Sequence, residues 1–276
     1  MLSENEPLLR FVAFAGVLAV LAGWEVFAPR RHREMPRAWR WPGNLGVVVI
    51  DTLLVRLLFP TAVVGLAVLG EERNWGLFQV LAWPAWVTVP LAFLAMDLAI
   101  YLQHVMFHAV PVLWRLHRMH HADQDIDVTT GIRFHPIEIL LSFGIKLGVV
   151  AALGPPAVSV LIFEIALNAT SMFNHSNIAL PLWLDGLLRW IVVTPDMHRV
   201  HHSILVRETN SNFGFNLPWW DRLFGTYRDQ PKAGHEAMTI GIEQFREPGE
   251  QRLDRMLTQP FREDDRSYPL GRGNSS

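Results

Sequence analysis

The chain has 276 residues, 50% of them hydrophobic and only 18% charged, which excludes a disordered protein and leaves room for one large domain or two small ones. With 24 Lys and Arg against 26 Asp and Glu the net charge is −2, so no basic field exists to hold a nucleic-acid backbone, and nucleic acid is not an expected partner. The absence of cysteine removes disulfides, thiolate metal sites, iron–sulfur clusters and cysteine nucleophiles, and any metal must be held by nitrogen or oxygen.

Residues 11–24 carry no charge and with their flanks reach the roughly 20 residues that cross a bilayer. Glu4 and Glu6 stand where a signal peptide has basic residues, so this is read as a retained helix. Residues 45–69 form a second apolar stretch, interrupted by Asp51 and Arg56, whose spacing fits a helical pair only loosely; a structural polar contact is expected of them rather than chemistry. The third stretch, 76–96, contains Pro84 and Pro90, which kink it or close an interfacial turn ahead of it. Residues 137–173 are apolar but broken at Gly154, Pro155 and Pro156 into two halves, each about 25 Å long as helix, and read as a helical hairpin.

Arg30, Arg31, Arg33, Arg37 and Arg40 lie between the first and second stretches, whereas the loop after the second is the acidic EERN. The excess of arginine places residues 29–43 in the cytoplasm, the N-terminus and residues 71–75 outside, and everything after the third span on the cytoplasmic side, in the inner membrane if the source is bacterial. The expected fold is an all-α integral membrane protein with three spanning helices plus a helical hairpin and a cytoplasmic, helical, His-rich cap. The expected division is 1–75 for N-terminal transmembrane helices, 76–230 for a catalytic domain and 231–276 for a polar tail, poorly ordered after about Glu247.

Of twelve histidines, His32 and His235 stand alone in polar segments and ten lie between positions 104 and 202. His104 and His108 are spaced i, i+4; HRMHH gives His117, His120 and His121, and HRVHH gives His198, His201 and His202, each at i, i+3 and i+4, so each box lines one helix face. Buried ring nitrogens without partners cost about 1–3 kcal/mol each, and metal binding removes that cost. Eight or more nitrogens exceed what one ion takes, so two metals are implied. Closed zinc sites usually draw on thiolates, and a transport path would need polar residues along several spans, where only Asp51, Arg56, Asp97 and Lys146 are available. Iron, with nitrogen ligands and positions open to dioxygen, is the favoured metal. A membrane metal-binding or transport protein is the alternative reading; a membrane cytochrome would need its histidines facing each other within the spans.

At these residues the chain closely resembles the fatty acid hydroxylase / sterol desaturase superfamily of membrane histidine-box diiron oxygenases. The resemblance is carried by DLAIYLQHVMFH (97–108), LWRLHRMHHADQDIDVTTGIRFHPIEIL (113–140), FNHSNI (173–178), TPDMHRVHHS (194–203) and ETNSNFGFNLPWWDRLFGTY (208–227), and covers about residues 80–230. It implies two irons held by His104, His108, His117, His120, His121, His198, His201 and His202, with His175 as a further ligand. It also implies dioxygen as co-substrate, a lipid substrate such as a sterol or fatty acyl chain entering from the bilayer, and either hydroxylation or desaturation, of which hydroxylation is the expectation here. With no cysteine for a cluster and no Gly-rich dinucleotide motif following a strand, the two electrons are expected from an external ferredoxin or cytochrome donor. The chain departs from many members at Val105, where a basic residue follows the first box histidine.

Beyond these nine, His135 and Asn174 are open between ligand and supporting roles. Asp97 is open between orienting His104 or His108 and simple polarity at a membrane end. Asp123, Asp125 and Asp127 read first as a solvated loop, with Asp127 able to brace a ligand. Asn210, Asn212 and Gly214 read as turn chemistry that the resemblance raises to supporting the site. Trp219, Trp220 and Tyr227 read as packing or interfacial anchors, and Arg199 and Arg207 as surface charges.

Overall fold

The computed structural model describes residues 2–59, 62–262 and 268–270. Among them the apolar runs are helices: α1 (Leu2–Phe27), α2 (Arg37–Leu58), α3 (Ala62–Arg73), α4 (Leu77–Leu81), α5 (Ala85–Ala109), α6 (Pro111–His121), α7 (Pro136–Leu153), α8 (Ala157–His175), α9 (Leu182–Leu188) and α10 (Pro195–His201). Five stretches are long and apolar enough to cross a membrane, Asn5–Phe27, Arg37–Leu81, Ala85–Ala109, Pro136–Leu153 and Ala157–His175. Their outer faces expose Phe11, Val20, Val49, Leu53 and Leu57, a wall that would be a liability in water and suits lipid.

Two boundaries differ from the sequence reading. The second span starts at Arg37 rather than 45, because Arg40 and Asn44 in its first turns are fully buried against polar partners. The third starts at Ala85: α4 is a separate single turn ended by Ala82 in the left-handed region, and Pro84 then caps α5, a position where its missing N–H costs nothing. Asp51 and Arg56 form no pair, since Asp51 is buried and Arg56 exposed.

His135 caps α7, its Nδ1 accepting from the Ile137 amide at 3.2 Å with Pro136 in the first turn. Gly154 closes α7 at φ +56°, where a side chain would collide with the Trp75 carbonyl oxygen. The two helices are splayed rather than packed as a simple pair: α7 lies on α2, α3 and α5, and α8 on α1, α3 and α5. Between them is a cavity of about 240 Å³, whose wall runs from His104 and His117 to Asp51 and Lys146.

The C-terminal end of α1, the N-terminal ends of α2 and α7 and the C-terminal ends of α5 and α8 all meet one cap. Glu25, buried, accepts from the Val128 and Asn177 amides at 2.7 and 2.8 Å and from Arg37 at 2.7 Å. Arg30 pairs with Asp196, and Arg31 donates to the carbonyl oxygens of His235 and Met238. The arginines read as an orientation signal are therefore also internal ties.

The described part of the segment after Glu247, residues 248–262 and 268–270, is packed into the cap rather than being the poorly ordered tail expected from its charge; residues 263–267 and 271–276 of that tail lie outside the described residues. Gln251, Met256 and Gln259 are fully buried. Arg115 and Arg118 donate to the carbonyl oxygens of residues 259–262, and Tyr268 stacks on Trp114 with ring centroids 5.5 Å apart. Its charged side chains face outward while a few apolar and amide groups plug the cap.

Candidate metal centre

The helix ends described above bring nine imidazoles together, all buried. One nitrogen from each of His104, His108, His117, His121 and His201 lies within 4.8 Å of the others, and the same holds for His120, His175, His198 and His202. The second box is thus divided, His117 and His121 facing one cluster and His120 the other. The single histidine of α8 joins the second.

The surrounding chain fixes which nitrogen faces inward. His104 donates from Nδ1 to the Phe213 carbonyl at 2.7 Å, His175 to that of Ser171 at 2.7 Å, His201 to that of Ser211 at 2.7 Å and His120 to that of Arg133 at 3.2 Å. His108 Nδ1 donates to Asn210 Oδ1 at 3.1 Å, and His117 Nδ1 meets Glu138 Oε1 at 2.7 Å. A carbonyl can only accept, so each such Nδ1 carries the proton and its Nε2 is left as a lone pair. Those lone pairs face one another: His120 and His175 approach through Nε2 at 3.1 Å, and His104 and His117 at the same distance.

Two nitrogens about 2.1 Å from one ion at a right angle lie about 3.0 Å apart, so these separations are those of adjacent ligands. His108 Nε2, His201 Nε2 and both ring nitrogens of His121 and His202 are buried with no partner. Burial pushes His117 down to about 3, and burial together with the neighbouring imidazoles holds His120, His121, His198, His201 and His202 well below the usual range. The rings are neutral, the state a metal needs. The donor set fits a pair of metal ions.

The other candidates stand around this centre rather than in it. His135 caps α7 and its Nε2 lies 3.2 Å from the Leu257 carbonyl. Asn174 donates to the Phe215 carbonyl at 3.0 Å, and its Oδ1 is buried without a partner. Asp97 does not orient His104 or His108. It accepts from Asn216 and Trp220 at 2.8 Å and from the Leu217 amide at 3.3 Å, and so anchors the loop whose carbonyls hold His104 and His201. Asn212, at φ +51°, clamps the same loop through Met197 and Arg228.

The loop of Asp123, Asp125 and Asp127 is buried, not solvated. Asp127 accepts from Arg40 at 2.6 Å and Trp41 at 3.1 Å and bonds to none of the clustered histidines. Arg199 is also buried, paired with Asp196, whereas Arg207 is exposed as expected. His235, read as lying alone in a polar segment, is 5% exposed and lies 3.6 Å from Asp196. Glu138 is the supporting residue that sequence reasoning missed; its signal was an acidic side chain in the first turn of a helix whose one other charge is Lys146, at the end that meets the histidines.

The fatty acid hydroxylase family model matches residues 89–226, half of the chain, and the chain belongs to that family. An alkylglycerol monooxygenase of Xenopus tropicalis is 31% identical over 77% of this chain and 48% of its own length. An ornithine lipid hydroxylase of Rhizobium tropici is 33% identical over 58% of this chain and 47% of its own, and a cholesterol 25-hydroxylase of Rattus norvegicus 27% over 59% and 53%. The chain spans about half the length of these curated relatives. No solved structure matches it.

Proposed function

We propose that the chain is a membrane-bound, O2-dependent hydroxylase of a lipid, with two iron ions held by His104, His108, His117, His121 and His201 on one side and His120, His175, His198 and His202 on the other. The observation that carries this reading is the shared wall: His104 and His117, with Glu138 behind His117, form one end of the cavity between the splayed α7 and α8. A transporter would string its ligands along a path; here six of the nine rings are fixed from behind by carbonyl, amide or carboxylate oxygens, as a resident centre requires. The named activities of the relatives favour hydroxylation over desaturation.

When bound, the two irons would supply the activation of dioxygen and the oxidation of an unactivated C–H bond. The chain's own contribution is placement and exclusion of water. Phe134 stacks on His120 with centroids 4.5 Å apart, and Phe215 packs 5.0 Å from His104, so both line the cavity and shield the centre. Electrons come from an external ferredoxin or cytochrome-type donor reaching the cap, which lies on the cytoplasmic side, in the inner membrane if the source is bacterial. Growth of cells with and without the gene under ¹⁸O2, followed by lipid mass spectrometry, tests the activity: a lipid gaining one labelled oxygen only when the gene is present supports it. No labelled lipid from iron-replete membranes overturns it. Reporter fusions at Asn74 and Lys232 should fall on opposite sides of the membrane.

A further inference from the structure

Five carboxylates are buried in the spanning helices: Glu25, Asp51, Asp97, Glu138 and Glu164. Four have partners. Glu25 holds Arg37, Asp97 holds Asn216 and Trp220, Glu138 holds His117, and Glu164 takes both Lys146 and Arg10. Asp51 is 8% exposed, its Oδ1 has no hydrogen-bond partner, and no cation pairs with it among the described residues. Such a group in an apolar surrounding is costly unless something satisfies it.

Asp51 lines the cavity that ends at His104 and His117. Two more acceptors on the same wall, Gln103 Oε1 and Glu138 Oε2, also lack partners, while the neighbouring amide and ammonium donors are engaged: Gln103 Nε2 with Ser142 at 3.0 Å, Lys146 with Glu164 at 2.7 Å and Asn168 with the Glu164 carbonyl at 2.9 Å. The wall has acceptors to spare. We infer that Asp51 receives a hydrogen-bond donor of the substrate, a hydroxyl or an ammonium, and so selects lipids carrying that group over lipids of the same apolar length without it. The inference deepens the hydroxylase reading above and rests on it for the identity of the cavity's occupant as substrate.

Iron-loaded full-length protein in nanodiscs would be offered a long-chain primary alcohol, the matching amine and the matching methyl ether, with both turnover and thermal stabilisation measured. The alcohol or the amine should exceed the methyl ether by about tenfold or more in kcat/KM, the difference lying in KM, because the ether has no hydrogen to donate to the buried acceptor. The favoured lipid should raise Tm where the ether does not. Asp51→Leu should level the three lipids in both measurements with metal content at the wild-type value, and Asp51→Asn should keep a preference for the alcohol but lose one for the amine.

Equal response of the wild-type protein to all three lipids, or unchanged discrimination in Asp51→Leu, overturns the inference. Equal loss of all three turnovers with the ranking intact does so as well, since that marks a structural or proton-handling role. If Asp51→Leu does not fold, the wild-type comparison and Asp51→Asn still decide. Thermal discrimination without oxidation of any lipid would refute the hydroxylase reading and leave Asp51 as an acceptor that binds lipids carrying a donor group. Oxidation without discrimination would do the reverse.

Discussion

Arg40 and Asp123 meet through two parallel hydrogen bonds, Nε to Oδ1 at 2.6 Å and Nη2 to Oδ2 at 2.7 Å, with both side chains fully buried. The pair ties the first turns of α2 to the loop that follows the second histidine box. Removing Arg40 leaves Asp123 with Arg133 at 3.9 Å as its remaining cation and takes the ion-pair partner from the buried Asp127, at a cost of about 3–5 kcal/mol. Arg40→Leu should therefore lower the unfolding midpoint strongly in a detergent melt, and Arg40→Lys, which cannot reproduce the two-pronged geometry, should lie between it and the wild type. A melt of Arg40→Leu equal to the wild type would show that the pair contributes nothing.

Each of the nine clustered histidines offers one inward nitrogen. Single replacement of His120 or His201 by Ala should abolish activity and reduce metal below two ions per chain, as read by elemental analysis of the folded protein. His32→Ala should leave both at the wild-type level. His135→Ala should mainly destabilise, by about 1 kcal/mol for a lost helix cap, and spare the metal. Two bound metals in His120→Ala would dissolve the proposed ligand set.

Glu138 fixes the ring of His117 from behind. Losing such an oxygen typically costs ten- to a hundredfold in metal affinity or activity, so Glu138→Ala should lower both by roughly that factor, and Glu138→Gln, which keeps an acceptor, by less. Titration of metal into the apo protein measures the affinity separately from turnover.

The pH dependence of stability separates two buried groups. Burial alone would raise Asp123, but Arg40 and Arg133 outweigh it and hold the carboxyl at about 2, below its ordinary 3.8. Its stabilisation is present above about pH 4 and is lost only as pH falls towards 2. His235 is pushed down to about 4 from 6.5 by burial, against the pull of Asp196. The fold resists its protonation, so stability should decline as pH drops from about 6.5 to 4. His235→Gln should flatten that part of the profile relative to the wild type, as measured by melts at successive pH values. Parallel profiles would show that His235 is not the titrating group.

Spacing and hydropathy made much of this legible. The helical spacing i, i+3, i+4 placed the boxes on faces, and the Gly154-Pro155-Pro156 break placed the turn between α7 and α8. The assignment of His175 came from resemblance, and the structure sets it among the second cluster. What the sequence did not disclose is mostly backbone: the carbonyls of Ser171, Ser211 and Phe213 that orient three rings carry no side-chain signature. The aspartates after box two misled because three acidic residues in a polar loop look solvated until Arg40, more than eighty positions earlier, is brought against them. Residues 248–262 misled for the same reason, since their few buried side chains are diluted among charges.

The last described residues bear on when the centre can form. The Leu270 amide donates to the carbonyl of His108 at 2.9 Å, and the Tyr268 carbonyl accepts from Asn210, the residue that holds the His108 ring. During synthesis the spans up to α8 can enter the membrane while these residues have yet to be made. His108 therefore acquires its full set of backing contacts only after residue 270 has left the ribosome. A chain stopped before that point has the nine imidazoles without the brace that Tyr268 gives to Asn210 and Leu270 to the end of α5.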